Sequence, residues 1–288
     1  MKILILAGGT GSVALQGGLH SALSSRLDGV EVRVLTNAYD NGLSTGAVRQ
    51  VMGGHILGPS DVRKNQTTRL RLEQPTSPWL KFLDIRFSSP AATAQALCMR
   101  ALQDLRAELM ATQHESTTRP DFSRSITLVA EAIEEYFKVP AALKIDYNDF
   151  SLANIIYAGF AHANGRSLRR AATIMSNILG IADHVLLNSD ESLFLNAVTR
   201  TGRIISDEGD IVCWGNHDDP IQDIFFTDAE GHEQEPVLCK EARAAIIDAD
   251  LIILSSGTQW SSLIPTYASV GFREAMLATR AQVVAVMN

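Results

Sequence analysis

The first dozen residues restrict the possible folds more than any other stretch. Ile3 to Leu6 form a short unbroken apolar run, which suits a strand covered on both faces. Ala7, Gly8, Gly9, Thr10, Gly11 and Ser12 follow, a turn almost without side-chain bulk. Val13, Leu15, Leu19, Ala22, Leu23 and Leu27 then recur at roughly helical spacing. Buried strand, glycine turn and amphipathic helix make a seat for phosphate or pyrophosphate. Glycines let backbone N–H groups approach an anion, and the helix start adds unpaired donors and the positive end of its dipole.

The glycine turn alone leaves several ligands open. Gly9, Gly11 and Ala14 fit the loose dinucleotide pattern G-x-G-x-x-G/A. That pattern wants an acidic residue closing the second strand, and Val30–Leu35 runs into Thr36 and Asn37 instead. The Leu-Ala-Gly-Gly opening is also found in sugar nucleotidyltransferases, which need a basic residue just after the glycines; none precedes Arg26. A tight turn without a ligand is the third alternative.

Composition narrows the class. With 288 residues and 46% apolar content the chain can bury a full core, and one domain over residues 1–288 is expected. A net charge of −7 argues against a nucleic-acid partner. No apolar run reaches bilayer length, and Lys2 leads directly into a core strand, so neither membrane span nor signal peptide is expected and the cytoplasm is the expected compartment. Cys98, Cys213 and Cys239 lack metal-like spacing and read as buried thiols. Monomer and homodimer both stay open.

Beyond the second strand lie two loops rich in turn residues, Thr36–Gly46 and Gly53–Asn65. Each holds an aspartate, and Arg49 or Arg63 follows. Asp40 and Asp61 can share a hard cation such as Mg²⁺, while Arg49, Arg63 and Lys64 can meet phosphate oxygens; aspartate caps and surface arginines are the plainer reading. Residues 89–140 read as a helical insertion or lid. A helix begins at Pro90 with Leu97, Ala101, Leu105 and Leu109 on one face; a polar loop, Thr112–Phe122, carries His114 and Pro120. Ile126, Val129, Ile133 and Phe137 mark a second helix, ended by Pro140, with Glu131, Glu134 and Glu135 solvated.

Ser151–Ala163 is a further helix, in which Asn154 is either a satisfied core amide or a ligand hydrogen-bonder. Ser167 caps the next helix and Gly180 stops it. Strands are expected at Val185–Leu187, Phe194–Val198 and Ile204–Ile205, with a hairpin turn at Thr201-Gly202. Trp214–Asp219 reads as a solvated loop rather than a metal site. After a helix over Glu241–Ala249, Leu251–Leu254 is a second apolar run, read as a central parallel strand delivering the small-residue loop Ser255–Ser262. In open α/β sheets ligands sit at the carboxyl ends of strands, so this loop and Gly8–Gly11 are expected to face one crevice. A last helix over Gly271–Ala278 and strand over Val283–Val286 complete an α/β, Rossmann-like, mainly parallel sheet flanked by helices.

Five motifs in order give these loops a more specific character: Gly8-Gly9-Thr10-Gly11, Asp40–Arg49, Pro59-Ser60-Asp61-Val62-Arg63, Ser151-Leu152-Ala153-Asn154 and Ser256–Pro265. This series resembles the CofD/YvcK family, whose branches are 2-phospho-lactate transferases of deazaflavin cofactor synthesis and YvcK-type proteins that bind UDP-sugars and influence central carbon metabolism and cell-wall growth. The resemblance implies that Gly8–Gly11 meets ligand phosphates. It implies ligand contacts from Asn41, Ser44, Thr45 and Arg49 in the second motif, from Arg63 and Lys64 in the third, and from Asn154. Gly257, Thr258 and Trp260 are expected near the base or sugar. Departures exist: Asn41 stands at the pattern's second aspartate, Leu43 at a glycine, Ser60 at a glycine, Lys64 at an asparagine and Phe150 at a frequent histidine. The chain also ends where the family pattern continues into a further loop and helix, so part of the pocket wall is expected to be missing.

Two function classes follow. One is a YvcK-like binder of a nucleoside-diphosphate small molecule such as a UDP-sugar, acting as a metabolic or cell-envelope regulator; the loss of an acidic group at Asn41 and the spelling of the Asp40 and Asp61 motifs favour it. The other is a CofD-like Mg²⁺-dependent transferase moving a phospho-hydroxyacid group from an activated donor, with Asp40 and Asp61 as catalytic metal ligands. Neither implies an organic cofactor. A dinucleotide-dependent oxidoreductase is a distant third.

Overall fold

The computed structural model describes residues 1–23, 29–112 and 122–286. Strand β1 (Lys2–Leu6), the glycine turn and helix α1 (Val13–Leu23) lead into β2 (Glu31–Thr36), α2 (Leu43–Val51), α3 (Ser60–Glu73) and α4 (Pro78–Leu83). A two-stranded antiparallel pair, β3 (Arg86–Ser89) and β4 (Tyr147–Ser151), brackets the long helices α5 (Ala91–Thr112) and α6 (Phe122–Phe137). Helices α7 (Leu152–Ala163) and α8 (Leu168–Leu179) precede β5 (Val185–Leu187). Then come β6 (Phe194–Thr199), β7 (Ile204–Ile205), α9 (Glu208–Cys213), β8 (Ile221–Thr227), β9 (Glu233–Gln234), α10 (Lys240–Asp248), β10 (Leu251–Leu254), α11 (Ile264–Tyr267), α12 (Phe272–Ala278) and β11 (Gln282–Ala285).

Five strands pair in parallel in the order β11-β10-β1-β2-β5, so the two apolar runs lie side by side in the middle. Ile5 is registered with Ile253 on one side and Val34 on the other. Ile3, Ile5, Val34 and Ile253 pack under Leu15, Leu19 and Leu23 of α1. Leu4, Leu6, Leu35 and Ile252 face Ala242, Ile246 and Phe272 from α10 and α12. Helices on both faces explain why these strands are apolar without alternation. The expected α/β architecture is the one observed.

The remaining helices share one larger core. Helix α6 lies so close to α7 that a Cβ on Gly159 would collide with the Ala132 carbonyl. Ser167 Oγ accepts from Arg170 N at the start of α8, and Gly180 ends that helix in the left-handed region at φ 63°. The hairpin at Thr201-Gly202 joins β6 to β7 as expected.

Three readings change. The loops expected over 36–46 and 53–65 run into α2 and α3, so Leu43 to Gly46 and Ser60 to Asn65 are helical. Helix α3 hides from periodicity because its buried face is polar: Asn65, Gln66, Thr67 and Thr68 are all buried. Gln66 satisfies its amide by donating to Ala172 O and Ser176 Oγ while accepting from Tyr157 Oη at 2.5 Å. Leu97 is 40% exposed, and α5 instead buries Ala94, Cys98, Leu102, Leu105 and Leu109. Strands β8 and β9 extend β6 and β7 into a four-stranded antiparallel sheet that sequence reading does not anticipate. His114, Pro120, Arg26 and Leu27 lie outside the described residues. No helix among the described residues is long and apolar enough to cross a membrane.

Candidate functional site

The glycine turn leaves the carboxyl end of β1 and is gripped from two sides. On one side stands the first turn of α3. Asn65 Nδ2 donates to Gly8 O at 3.0 Å and Asp61 O at 2.8 Å, and its Oδ1 accepts from Gln16 Nε2 at 2.8 Å. A Cβ on Gly9 would collide with Asp61 Oδ1 and Lys64 Cδ. On the other side stands the loop after β10. A Cβ on Gly8 would fall 2.5 Å from Ser262 Oγ, and one on Gly11 would strike Ser256 O. Ser256 Oγ donates to Gly11 O at 3.0 Å. Thr258 Oγ1 lies 2.7 Å from Ser261 Oγ and 2.9 Å from Ser262 Oγ. Asn37, at the end of β2, donates to Ser262 O at 2.6 Å. Gly8, Gly9, Gly11, Asp61, Lys64, Gly257 and Thr258 are therefore neighbours, with Thr10 exposed at the rim. Trp260 packs half-buried against the larger core.

Asp40 begins a second polar network. Its Oδ1 accepts from Gly42 N at 2.9 Å and its Oδ2 from Thr45 Oγ1 at 3.3 Å. Thr45 Oγ1 lies 2.5 Å from Ser60 Oγ, and Asn154 Nδ2 donates to Ser44 Oγ at 3.1 Å and Thr45 Oγ1 at 3.3 Å. Asn154 Oδ1 is buried with no hydrogen-bond partner among the described residues. Helix α7 thus joins the second and third motifs through one amide.

Arg49 is placed differently from a phosphate ligand. It is wholly buried, and its nitrogens donate to the carbonyls of Ile56, Tyr39, Asp40 and Leu193. Its guanidinium lies 4.0 Å from the centre of the Phe194 ring. Burial lowers its pKa to about 10. The Asn41 side chain takes no part in the hydrogen bonds of this network and lines a cavity with Leu43. Arg63 is half-buried, makes no ion pair among the described residues, and leaves its buried Nε without a partner; burial lowers its pKa.

A third carboxylate, Glu208, enters from α9. Asp207 caps that helix, accepting from Gly209 N and Asp210 N, and the helix packs on the turn at Gln259–Leu263. Burial pushes Glu208 up to about 7, with Asp40 and Asp61 adding repulsion and Ser261 opposing it. Burial likewise raises Asp61 to about 6, with Asp40 adding and Lys64 opposing from 3.6 Å. Three acidic groups thus crowd the mouth of the glycine turn with one lysine facing them. Among the described residues no three His, Cys, Asp or Glu side chains surround a common ion position. Glu208, Asn65 and Asn37 escaped the sequence reading; the capping signal at Asp207 locates the helix but not what Glu208 meets.

Comparison with known proteins adds the lineage. The family model described as 2-phospho-L-lactate transferase CofD matches residues 3–288. The gluconeogenesis factor of Bacillus subtilis is 28% identical over 160 residues, covering 56% of this chain and 48% of that protein. The gluconeogenesis factor of Listeria innocua is 25% identical over 164 residues, covering 57% and 48%. The chain spans about half the length of the curated relatives it matches. A solved structure of a UPF0052-family protein from Bacillus halodurans superposes with a TM-score of 0.67 at 21% identity, covering all of this chain and 68% of that one. A family match from the first strand to the last residue leaves one conclusion: the chain belongs to the CofD family.

Proposed function

We propose that the crevice between the glycine turn, α3 and the Ser256–Ser262 loop binds the diphosphate of a nucleoside-diphosphate ligand, in the manner of a YvcK-like UDP-sugar binder. The observation that carries the reading is the convergence of three elements at the carboxyl ends of β1 and β10, two of them small-residue loops and one bearing Arg63 and Lys64. Arg63 meets phosphate oxygens through a guanidinium that makes no ion pair among the described residues and whose buried Nε has no hydrogen-bond partner there. Arg49, by contrast, shapes the Asp40 loop from within. The names of the bacilli and listeria relatives, gluconeogenesis factors, favour a regulatory outcome over turnover.

A second reading, a Mg²⁺-dependent transferase, draws support from the crowded acids Asp40, Asp61 and Glu208. Mg²⁺ is commonly held by one or two carboxylates together with substrate phosphates, and Asp40 and Asp61 fit that donor chemistry. Bound there, the ion would neutralise charge on a transferring phosphoryl group. The residues themselves would orient the donor through Arg63, Lys64 and the glycine turn.

A thermal-shift panel of UDP-glucose, UDP-N-acetylglucosamine and GDP, each with and without Mg²⁺, separates the two. A ligand at a hundred times its Kd stabilises the folded state by about 2.7 kcal/mol. A UDP-sugar shift indifferent to Mg²⁺ supports the binder; a shift that needs Mg²⁺ and is lost in Asp61→Asn supports the transferase. No shift with any of them defeats both.

A further inference from the structure

Leu43 is an outlier twice over. Its backbone sits in the left-handed region at φ 43°, where a bulky residue is strained, and its side chain is 85% exposed. Both features oppose stability, and the protein interior offers no compensating contact. The residue lies beside the candidate site: a Cβ added to its neighbour Gly42 would stand 3.4 Å from Glu208 Oε2 and 3.6 Å from Asp40 Oδ1. It also lines a cavity of about 640 Å³ together with Asn41, Ala47, Gln50, Phe194 and Asp207. Asp207 is the one ionisable side chain in that lining, and its Oδ1 is engaged by Gly209 N and Asp210 N. Among the described residues no cation lines the cavity, so it does not suit a phosphate. A mixed wall, with Leu43, Ala47 and Phe194 beside two side-chain amides, suits a neutral ring with an apolar face and a polar edge.

We propose that Leu43 is a specificity-determining lip, and that the cavity beside it takes an uncharged ring with an apolar face, presented next to the diphosphate. This rests on the diphosphate reading above. The ring is either the sugar carried by a nucleotide-sugar or a separate ring molecule that approaches it. Leucine supplies the apolar contact for its face, Asn41 and Gln50 supply hydrogen bonds at its edge, and the strain at φ 43° keeps the side chain standing over the mouth.

The test compares wild type with Leu43→Gly, which removes the lip and relieves the backbone. Pyrophosphate, UDP and UDP-glucose are titrated calorimetrically, and indole by NMR. The proposal expects pyrophosphate and UDP to bind both proteins alike. UDP-glucose or indole loses about fivefold in affinity in the variant, the loss of roughly one partly buried aliphatic contact. The unliganded variant unfolds at the same temperature or higher. Weakening confined to UDP-glucose assigns the ring to the attached sugar; weakening confined to indole assigns it to a separate molecule. Equal affinities in both proteins, no binding of either ring probe to wild type, or a lower unfolding temperature of the variant each overturns the proposal. Failure of pyrophosphate and UDP to bind wild type, with Leu43-dependent indole binding retained, removes the diphosphate reading alone.

Discussion

Arg49 shows how far a residue's chemistry can be turned inward. Arginine after a turn rich in aspartate and glycine suggests phosphate, yet this guanidinium ties together the carbonyls of residues 39, 40, 56 and 193 and covers a phenylalanine ring. Arg49→Ala is expected to cost about 3 kcal/mol or more, because four buried acceptors lose their donor; Arg49→Lys recovers little of it, since a point charge cannot replace the fork. Urea denaturation of the two variants measures this. Glu208 makes a prediction with a sign. Its folded pKa stands near 7, above the ordinary glutamate range, so the folded state holds the extra proton. The stabilising contribution is therefore present at pH 4 and is lost as pH rises through 7. Between pH 5 and 8 wild type should lose more stability than Glu208→Gln. Equal losses would show that Glu208 is not held above the ordinary glutamate range by burial and its acidic neighbours. Neither residue's destination was legible in the sequence: Glu208 meets Asp40, Asp61 and Ser261, all distant along the chain, and Arg49 is turned inward by Leu193 O and the Phe194 ring as well as by nearby carbonyls.

At the scale of elements, legibility followed the nature of the buried face. Strands β1 and β10 and helices α7 and α8 bury apolar side chains, and α8 carries caps at both ends, so their positions could be read directly. Helix α3 buries Asn65, Gln66, Thr67 and Thr68, and its first residues, Ser60–Asn65, read as loop. That helix is nonetheless what brings Asp61 and Lys64 beside Gly9, with Arg63 on the same turn. Gly9→Ala should therefore displace Asp61 and Lys64 and weaken diphosphate binding at least tenfold, while circular dichroism stays native. At the α6–α7 contact the effect falls on stability instead. Gly159→Ala meets backbone rather than a flexible side chain and should destabilise by about 2 kcal/mol, read as a fall in urea midpoint.

At the scale of the whole molecule, a doubly covered parallel sheet gathers residues 8–11, 61–64 and 256–262 at one end, with α9 adding Glu208 from the antiparallel sheet's side. The family and the α/β class were legible from five ordered motifs; the third carboxylate and the cavity beside Leu43 were not, because they arise where α9 meets the turn after β10 and where α2 meets Phe194 and Asp207. The most direct measurement is a calorimetric titration of UDP-glucose and pyrophosphate into wild type and Arg63→Ala. Wild type is expected to bind both, and the variant to bind each at least tenfold more weakly with an unchanged fold, since one charge-assisted phosphate contact contributes about 1.5–3 kcal/mol. Equal binding by the two proteins, or none by wild type, would contradict the assignment of this crevice to a diphosphate.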